Sequence, residues 1–262
     1  MLFPCLVSKA TENQAESGVE VWRIKGGNDQ LPRALARPLG DAVELSAPVT
    51  SIAQTASGVS AGAGGSRYQA DYCVIAAPLP ALRRVTFSPA LPAPLGQAVA
   101  ELHYGTGTKT MLQYGRRIWR NQGFNGDTFS DLTFNTTWEA TDQQSGRRGI
   151  LLAYTAGANG ARFTRLTPAQ RVATAVAQLD RVYPGSKAAL GASFSAAWPR
   201  ECYTGGTYSA YAPGQLTAFW QALREPAGRI WFAGEHTDPV SGYMEGAIRS
   251  GKRVAAAIRR AA

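Results

Sequence analysis

Sulfur and histidine are scarce in this 262-residue chain, which has three cysteines, three methionines and two histidines. Cys5, Cys73 and Cys202 are odd in number and form no C-x-x-C pair, so neither a zinc site nor a disulfide framework is suggested. That usage fits a reducing cytoplasmic environment. His103 and His236 have no paired ligand in sequence, and H-E-x-x-H, the P-loop and the G-x-S-x-G elbow are all missing. No run of eighteen apolar residues occurs, and residues 1–4 carry no positive region followed by a long apolar stretch, so neither membrane spanning nor secretion is predicted. Acidic residues are in deficit, 18 against 27 basic, for a formal charge of +9. Setting aside Lys9, Lys25, Lys109, Lys187 and Lys252 leaves 22 arginines, scattered rather than clustered. A nucleic-acid footprint needs a patch or stripe, so this is read as a basic surface that attracts anions, with no nucleic-acid partner.

A G-x-G-x-x-G motif opening a βαβ unit is also missing. The one glycine-rich stretch, Ser60-Ala-Gly-Ala-Gly-Gly-Ser66, has Arg67 where a third glycine would fall and no helical pattern after it. It reads as a loop between two strands.

What is present is a 45% hydrophobic content, enough for one large domain or two smaller ones. The most informative segment is the last. Arg229-Ile-Trp-Phe-Ala-Gly-Glu-His-Thr-Asp predicts a short buried strand at 230–233 followed by a polar loop. Ser241-Gly-Tyr-Met-Glu-Gly-Ala-Ile-Arg-Ser-Gly then enters a helix near 242–244, with Ala247, Ile248, Gly251, Val254, Ala255 and Ile258 at helical spacing. The first turn of such a helix leaves N–H groups unpaired at the positive end of the macrodipole, which suits an anionic group such as a reduced flavin.

Upstream, strands are expected at 19–24, 43–52, 67–76, 106–114, 129–137 and 150–156, the fourth with Gly107, Lys109, Met111 and Gln113 on one face. Residues 31–39 read as a brief helix broken at Pro38. Thr167-Pro-Ala-Gln opens a helix running to about Val182, with a capping threonine and proline at the first helical position. Strands, one long helix, a strand and a final helix give an α+β class.

These residues resemble the flavin-containing amine oxidases, which include monoamine, polyamine and L-amino-acid oxidases. The likeness rests on the ending quoted above and on Gly26-Gly-Asn-Asp-Gln-Leu-Pro-Arg-Ala-Leu-Ala, Val49-Thr-Ser-Ile52, Asp71-Tyr-Cys-Val-Ile-Ala-Ala-Pro-Leu-Pro80, Gly107-Thr-Lys109, Trp119 and the stretch 198–208, in the family's order. The family opens with the G-x-G-x-x-G unit that is not found here, so the chain resembles a C-terminal portion.

The resemblance implies roles for individual residues. Lys109 would hold a water at flavin N5 and orient or polarise dioxygen. Tyr208 and Tyr243 would form an aromatic cage that steers a neutral amine toward N5. Trp198 would wall that pocket, and Trp119 is left as core. Glu235 would meet the ribityl hydroxyls, Met244 would offer its N–H to flavin O2, and Val49 would contact the adenine side. Gly26, Gly27, Gly234 and Gly242 would lie beside the cofactor, and Arg33 could meet a phosphate. Some members attach FAD through a cysteine where this chain has Thr207, so FAD is expected to be noncovalent.

The expectation is a mixed-sheet substrate domain at 79–200 interleaved with the C-terminal part of a Rossmann-like FAD-binding domain, at 1–78 and 201–262. The implied reaction oxidises an amine or amino acid to an imine with dioxygen as acceptor. Two alternatives stand beside it. One is a noncatalytic or incomplete chain needing a partner that carries the dinucleotide-binding motif. The other is a carotenoid-desaturase or protoporphyrinogen-oxidase-like flavoenzyme. No metal site is expected.

Overall fold

The computed structural model describes residues 24–142 and 144–261, so Cys5 and all of the expected first strand except Ile24 lie outside the described residues. Eleven strands are described: β1 Val49–Gln54, β2 Val59–Ala63, β3 Ser66–Ala70, β4 Cys73–Ile75, β5 Thr86–Ser88, β6 Thr108–Tyr114, β7 Thr128–Phe129, β8 Thr136–Glu139, β9 Gly149–Thr155, β10 Leu190–Ala197 and β11 Ile230–Phe232. The longer helices are Ala93–Glu101, Gly157–Arg165, Pro168–Val182 and Met244–Ala261. The fold is α+β.

The strands form three sheets. Four run in the order β3-β2-β1-β5, antiparallel except for the parallel β1–β5 pair. Five antiparallel strands run β10-β6-β9-β8-β7, and β11 pairs in parallel with β4. Alternation in β6 puts Thr108, Thr110, Leu112 and Tyr114 on the buried face and leaves Lys109, Met111 and Gln113 half-buried on the other. The buried face packs with Leu151 and Ala153 of β9 against Ala175, Val176 and Leu179 of the helix Pro168–Val182. Burying a side chain such as Leu112 or Leu179 contributes about 1.5–3 kcal/mol. Thr167 begins that helix with a full capping box, its hydroxyl accepting from the Gln170 N–H while Gln170 caps the Thr167 N–H. A second core joins Ile52, Ile75, Leu79, Leu102, Phe219, Leu223, Ile230 and Phe232.

Several local expectations are corrected. Residues 59–63 are strand β2, and the expected glycine-rich loop shrinks to the two-residue turn Gly64-Gly65, with φ of 57° and 84°. The strand expected over 43–52 begins only at Val49, since Ser46 takes a φ of 58° and Pro48 supplies no ladder donor. The brief helix is found at Gln30–Ala36, ending ahead of Pro38, and the chain continues as the 3₁₀ turn Arg37–Ala42, whose first turn tolerates proline. The run expected at 129–137 is two strands, β7 and β8, in a hairpin.

Candidate active site

The loop after β11 is organised by one carboxylate. Glu235 accepts from the Ser209 N–H at 2.9 Å, the Ser209 hydroxyl at 2.8 Å, the Ser241 hydroxyl at 2.9 Å and the Gly242 N–H at 2.8 Å. The two serine hydroxyls are themselves 2.7 Å apart. Ser209 follows Tyr208 and Gly242 precedes Tyr243, so the expected tyrosine pair is carried on two segments that meet at Glu235. Gly242 has a φ of 83°, and the side where a side chain would project lies 3.7 Å from the Tyr208 ring. Glycine is favoured there by the left-handed conformation, while the ring at that distance would be in ordinary contact with a side chain.

Tyr208 also meets the five-stranded sheet. The segment leading into β6 pairs with the segment around Tyr208: Gly105 N–H donates to the Tyr208 carbonyl at 2.9 Å and Thr207 N–H to the Gly105 carbonyl at 2.9 Å. Lys109 then lies opposite Tyr154 of β9 and Ala196 of β10. The Tyr154 hydroxyl is 3.4 Å from that of Tyr208. The Lys109 ammonium sits 5.9 Å from the centre of the Trp138 ring, itself 6.1 Å from the Tyr154 ring. A side chain at position 107 would strike the Thr207 methyl and, at 2.7 Å, the Tyr154 hydroxyl, so Gly107 is set by close packing. Burial, reinforced by the Tyr208 hydroxyl, pushes the Tyr154 phenol well above its ordinary value and keeps it neutral at neutral pH.

The expected site residues thus divide. Lys109, Tyr208, Tyr243, Gly242 and Glu235 are joined through neighbouring segments. Trp198, 37% exposed, directly follows β10, whose Ala197 pairs with Thr108 next to Lys109. Met244 is the first residue of the last helix and half-exposed, and Gly234 bonds that helix through its N–H to the Ser250 hydroxyl at 2.8 Å. Val49 lies in the separate four-stranded sheet, and Gly26 and Gly27 stand before the first described helix. Arg33 is exposed and paired with Asp29 at 3.0 Å. Arg117 and Arg120 are committed to Glu139.

Tyr154 and Trp138 were missed as site residues because their place depends on strand register. The predicted strand at 150–156 contains Tyr154, but only the pairing with β6 sets it opposite Lys109.

The helix carrying Met244 is seated by Gly246, where a methyl group would run into the Val240 carbonyl oxygen. Gly246→Ala is expected to cost about 1–3 kcal/mol by overpacking, measured by chemical denaturation. An unchanged midpoint would show that the 238–242 loop yields freely.

Comparison with known proteins decides the family. The model of flavin containing amine oxidoreductases matches residues 9–259. This chain belongs to that family. It is 32% identical over 247 residues to the L-amino acid dehydrogenase of Synechocystis sp., covering 91% of this chain and 51% of that protein. It is 32% identical to a flavin-containing amine oxidase of Danio rerio, covering 90% and 47%. Among solved structures, putrescine oxidase bound to putrescine is 28% identical with a TM-score of 0.82, covering 90% of this chain and 53% of that one. Cyclohexylamine oxidase from Brevibacterium oxydans is 29% identical with a TM-score of 0.81, covering 88% and 52%. The chain therefore spans about half the length of the relatives it matches. Among the described residues no helix is long and apolar enough to cross a membrane, and no cluster of three metal-ligating side chains occurs.

The family implies a flavin, and the site fits one at its reactive end. Gly242 leaves room beside a half-exposed tyrosine, and the 18-residue helix behind it starts at the same point. Among the described residues there is no G-x-G-x-x-G turn for a pyrophosphate.

Proposed function

We propose that this chain forms the substrate-binding and flavin-facing part of an FAD-dependent enzyme that oxidises an amine or amino acid to an imine. The observation that carries the reading is the convergence of Lys109, Tyr154, Tyr208 and the Gly242-Tyr243 turn at the start of the last helix. When bound, a flavin would supply the acceptor for the hydride, with its two electrons, that leaves the α-carbon of the amine, the nitrogen giving up a proton. The chain supplies the surroundings. Tyr208 and Tyr243 present apolar ring faces that desolvate a neutral amine and restrict its orientation. Tyr154 steadies Tyr208 through the paired hydroxyls, and its neutral phenol adds no charge to a slot meant for an uncharged amine. Lys109 holds a water and favours negative charge as dioxygen is reduced. Thr207 offers no thiol, which supports noncovalent FAD.

Dioxygen is supported as acceptor by the oxidases among the relatives, while the Synechocystis protein is named a dehydrogenase. Lys109 provides the test. In flavin-loaded protein, Lys109→Met is expected to slow reoxidation by dioxygen by ~100-fold, the scale of removing one preorganised electrostatic group. Flavin reduction by amine should change far less. Stopped-flow absorbance separates the two half-reactions, and equal slowing of both would sink the assignment.

A second reading is kept because the sequence shows no G-x-G-x-x-G turn: the chain holds FAD only beside a partner carrying the dinucleotide-binding unit. Visible absorbance after adding FAD and washing discriminates. Retained flavin that an amine bleaches supports a self-sufficient enzyme; a colourless chain that becomes yellow only with a complementing segment supports the second reading.

A further inference from the structure

Glu235 does more than the expected contact with a ribityl chain would need. An ionised carboxylate has only acceptor oxygens, and here four donors converge on it: the Ser209 N–H on Oε1, and the Ser209 hydroxyl, the Ser241 hydroxyl and the Gly242 N–H on Oε2. They arrive from two segments 32 residues apart in sequence at their serines. One segment begins with Tyr208 and the other leads into Tyr243. We infer that Glu235 is a positioning residue, a clasp whose carboxylate joins the two tyrosine-bearing segments and sets the gap between their rings. The inference rests on the reading of those rings as the substrate slot.

The clasp is itself anchored. Glu235 begins a short 3₁₀ turn in which Thr237 N–H donates to the Gly234 carbonyl at 3.0 Å and Asp238 N–H to the Glu235 carbonyl at 3.2 Å. Gly234 N–H is bonded to Ser250 of the last helix, and Ser209 is only 6% exposed. The anchor thus stands on the same helix that begins beside Tyr243, so the ring gap is referred to a rigid element. Glutamine has nearly the shape of glutamate but replaces one acceptor oxygen by a donor NH₂ group. The Ser209 amide donates to Oε1 and the Gly242 amide to Oε2, so with one oxygen left one side of the clasp must open. Aspartate keeps the charge but is one methylene shorter.

The test uses the full chain without flavin or amine. Amide exchange is followed by NMR at Ser209 and Gly242, and 3-fluorotyrosine placed at 208 or at 243 reports each ring by fluorine NMR. In Glu235→Gln at least one of the two amides is expected to exchange ~10–100-fold faster, the change set by losing a bond to a charged acceptor, and both fluorine signals are expected to move. The Thr237 amide should keep its wild-type rate. A carboxylate with a merely structural role would lower the unfolding midpoint while leaving both ring signals in place, and that outcome overturns the inference. Should Glu235→Gln fail to fold, Glu235→Asp keeps the charge and draws both acceptor oxygens back by one methylene from the Ser209 and Gly242 amides. Movement of both ring signals in that variant supports the clasp, and wild-type signals overturn it. A chain that shows the clasp but never turns over an amine would refute the proposed activity alone, so the two readings fail separately.

Discussion

Glu139→Ala is expected to destabilise the protein by about 3–5 kcal/mol, the range for leaving buried charges without their partner. Glu139 ends β8 with its side chain 1% exposed. It accepts from Arg117 Nε, from Trp119 Nε1 at 2.8 Å, from Arg120 Nε at 3.0 Å and from the Thr141 hydroxyl at 3.1 Å. Burial pushes its carboxyl up, but hydrogen bonds from Arg117, Trp119 and Arg120 outweigh that and hold it below the ordinary carboxylate range. The same Arg117 guanidinium donates to the carbonyls of Thr141 at 2.9 Å and Gln144 at 2.8 Å, so losing Glu139 unbalances the whole connection from β8 to β9. Trp138, the neighbour of Lys109, sits one residue before it, and loosening there reaches the site. Guanidinium denaturation with an unchanged slope would measure the loss. Glu139→Gln keeps one acceptor and should cost less; a cost under about 1 kcal/mol for alanine would mean the cluster behaves as a solvated surface pair.

What could be read from the sequence was local. The 230–233 strand and the helix entered near 242–244 are found at Ile230–Phe232 and Met244–Ala261, because a short apolar run, a glycine and a helical repeat each act within one turn of chain. The same holds for the Thr167 cap and the alternation of β6. Most of strand β2 was illegible since, after Val59, Ser60-Ala-Gly-Ala has no β-branched residue, and only pairing with β1 and β3 makes it a strand. The helix Ala93–Glu101 was hidden by the prolines around its start, although proline suits a first turn. The site followed the same division. Lys109, Tyr208, Tyr243 and Glu235 were visible through motif order. Tyr154 and the donors on Glu235 were not, because they depend on strand register and on Ser209, which lies 26 residues from its acceptor.

Acid is expected to weaken the fold in two separable windows, the upper one set by His236. This histidine is 2% exposed, its Nε2 has no hydrogen-bond partner among the described residues, and burial lowers its pKa to about 4, against a smaller upward pull from the Glu235 charge. The imidazole is therefore held neutral. A histidine whose folded pKa is depressed from 6.5 binds its proton more readily unfolded. Its contribution is fully present above the unfolded value and is lost as pH falls from about 6.5 toward 4, on the order of 3 kcal/mol over that span. Glu139 acts lower: its stabilisation is present above the unfolded carboxyl value near ~4.3 and disappears only as pH drops through its depressed folded value. Unfolding free energies at intervals from pH 7 to 4 would show the upper slope, and His236→Phe should flatten it without touching the lower window. If the slope survives in that variant, another group carries it. Because His236 adjoins Glu235 and its ring packs against Gly234, protonation would act directly behind the carboxylate that holds the Tyr208 and Tyr243 segments. Mild acid should then lower the protection factors of the Ser209 and Gly242 amides, their exchange rates taken relative to the intrinsic rate at each pH, before the helix Pro168–Val182 responds, since that helix packs in the other core.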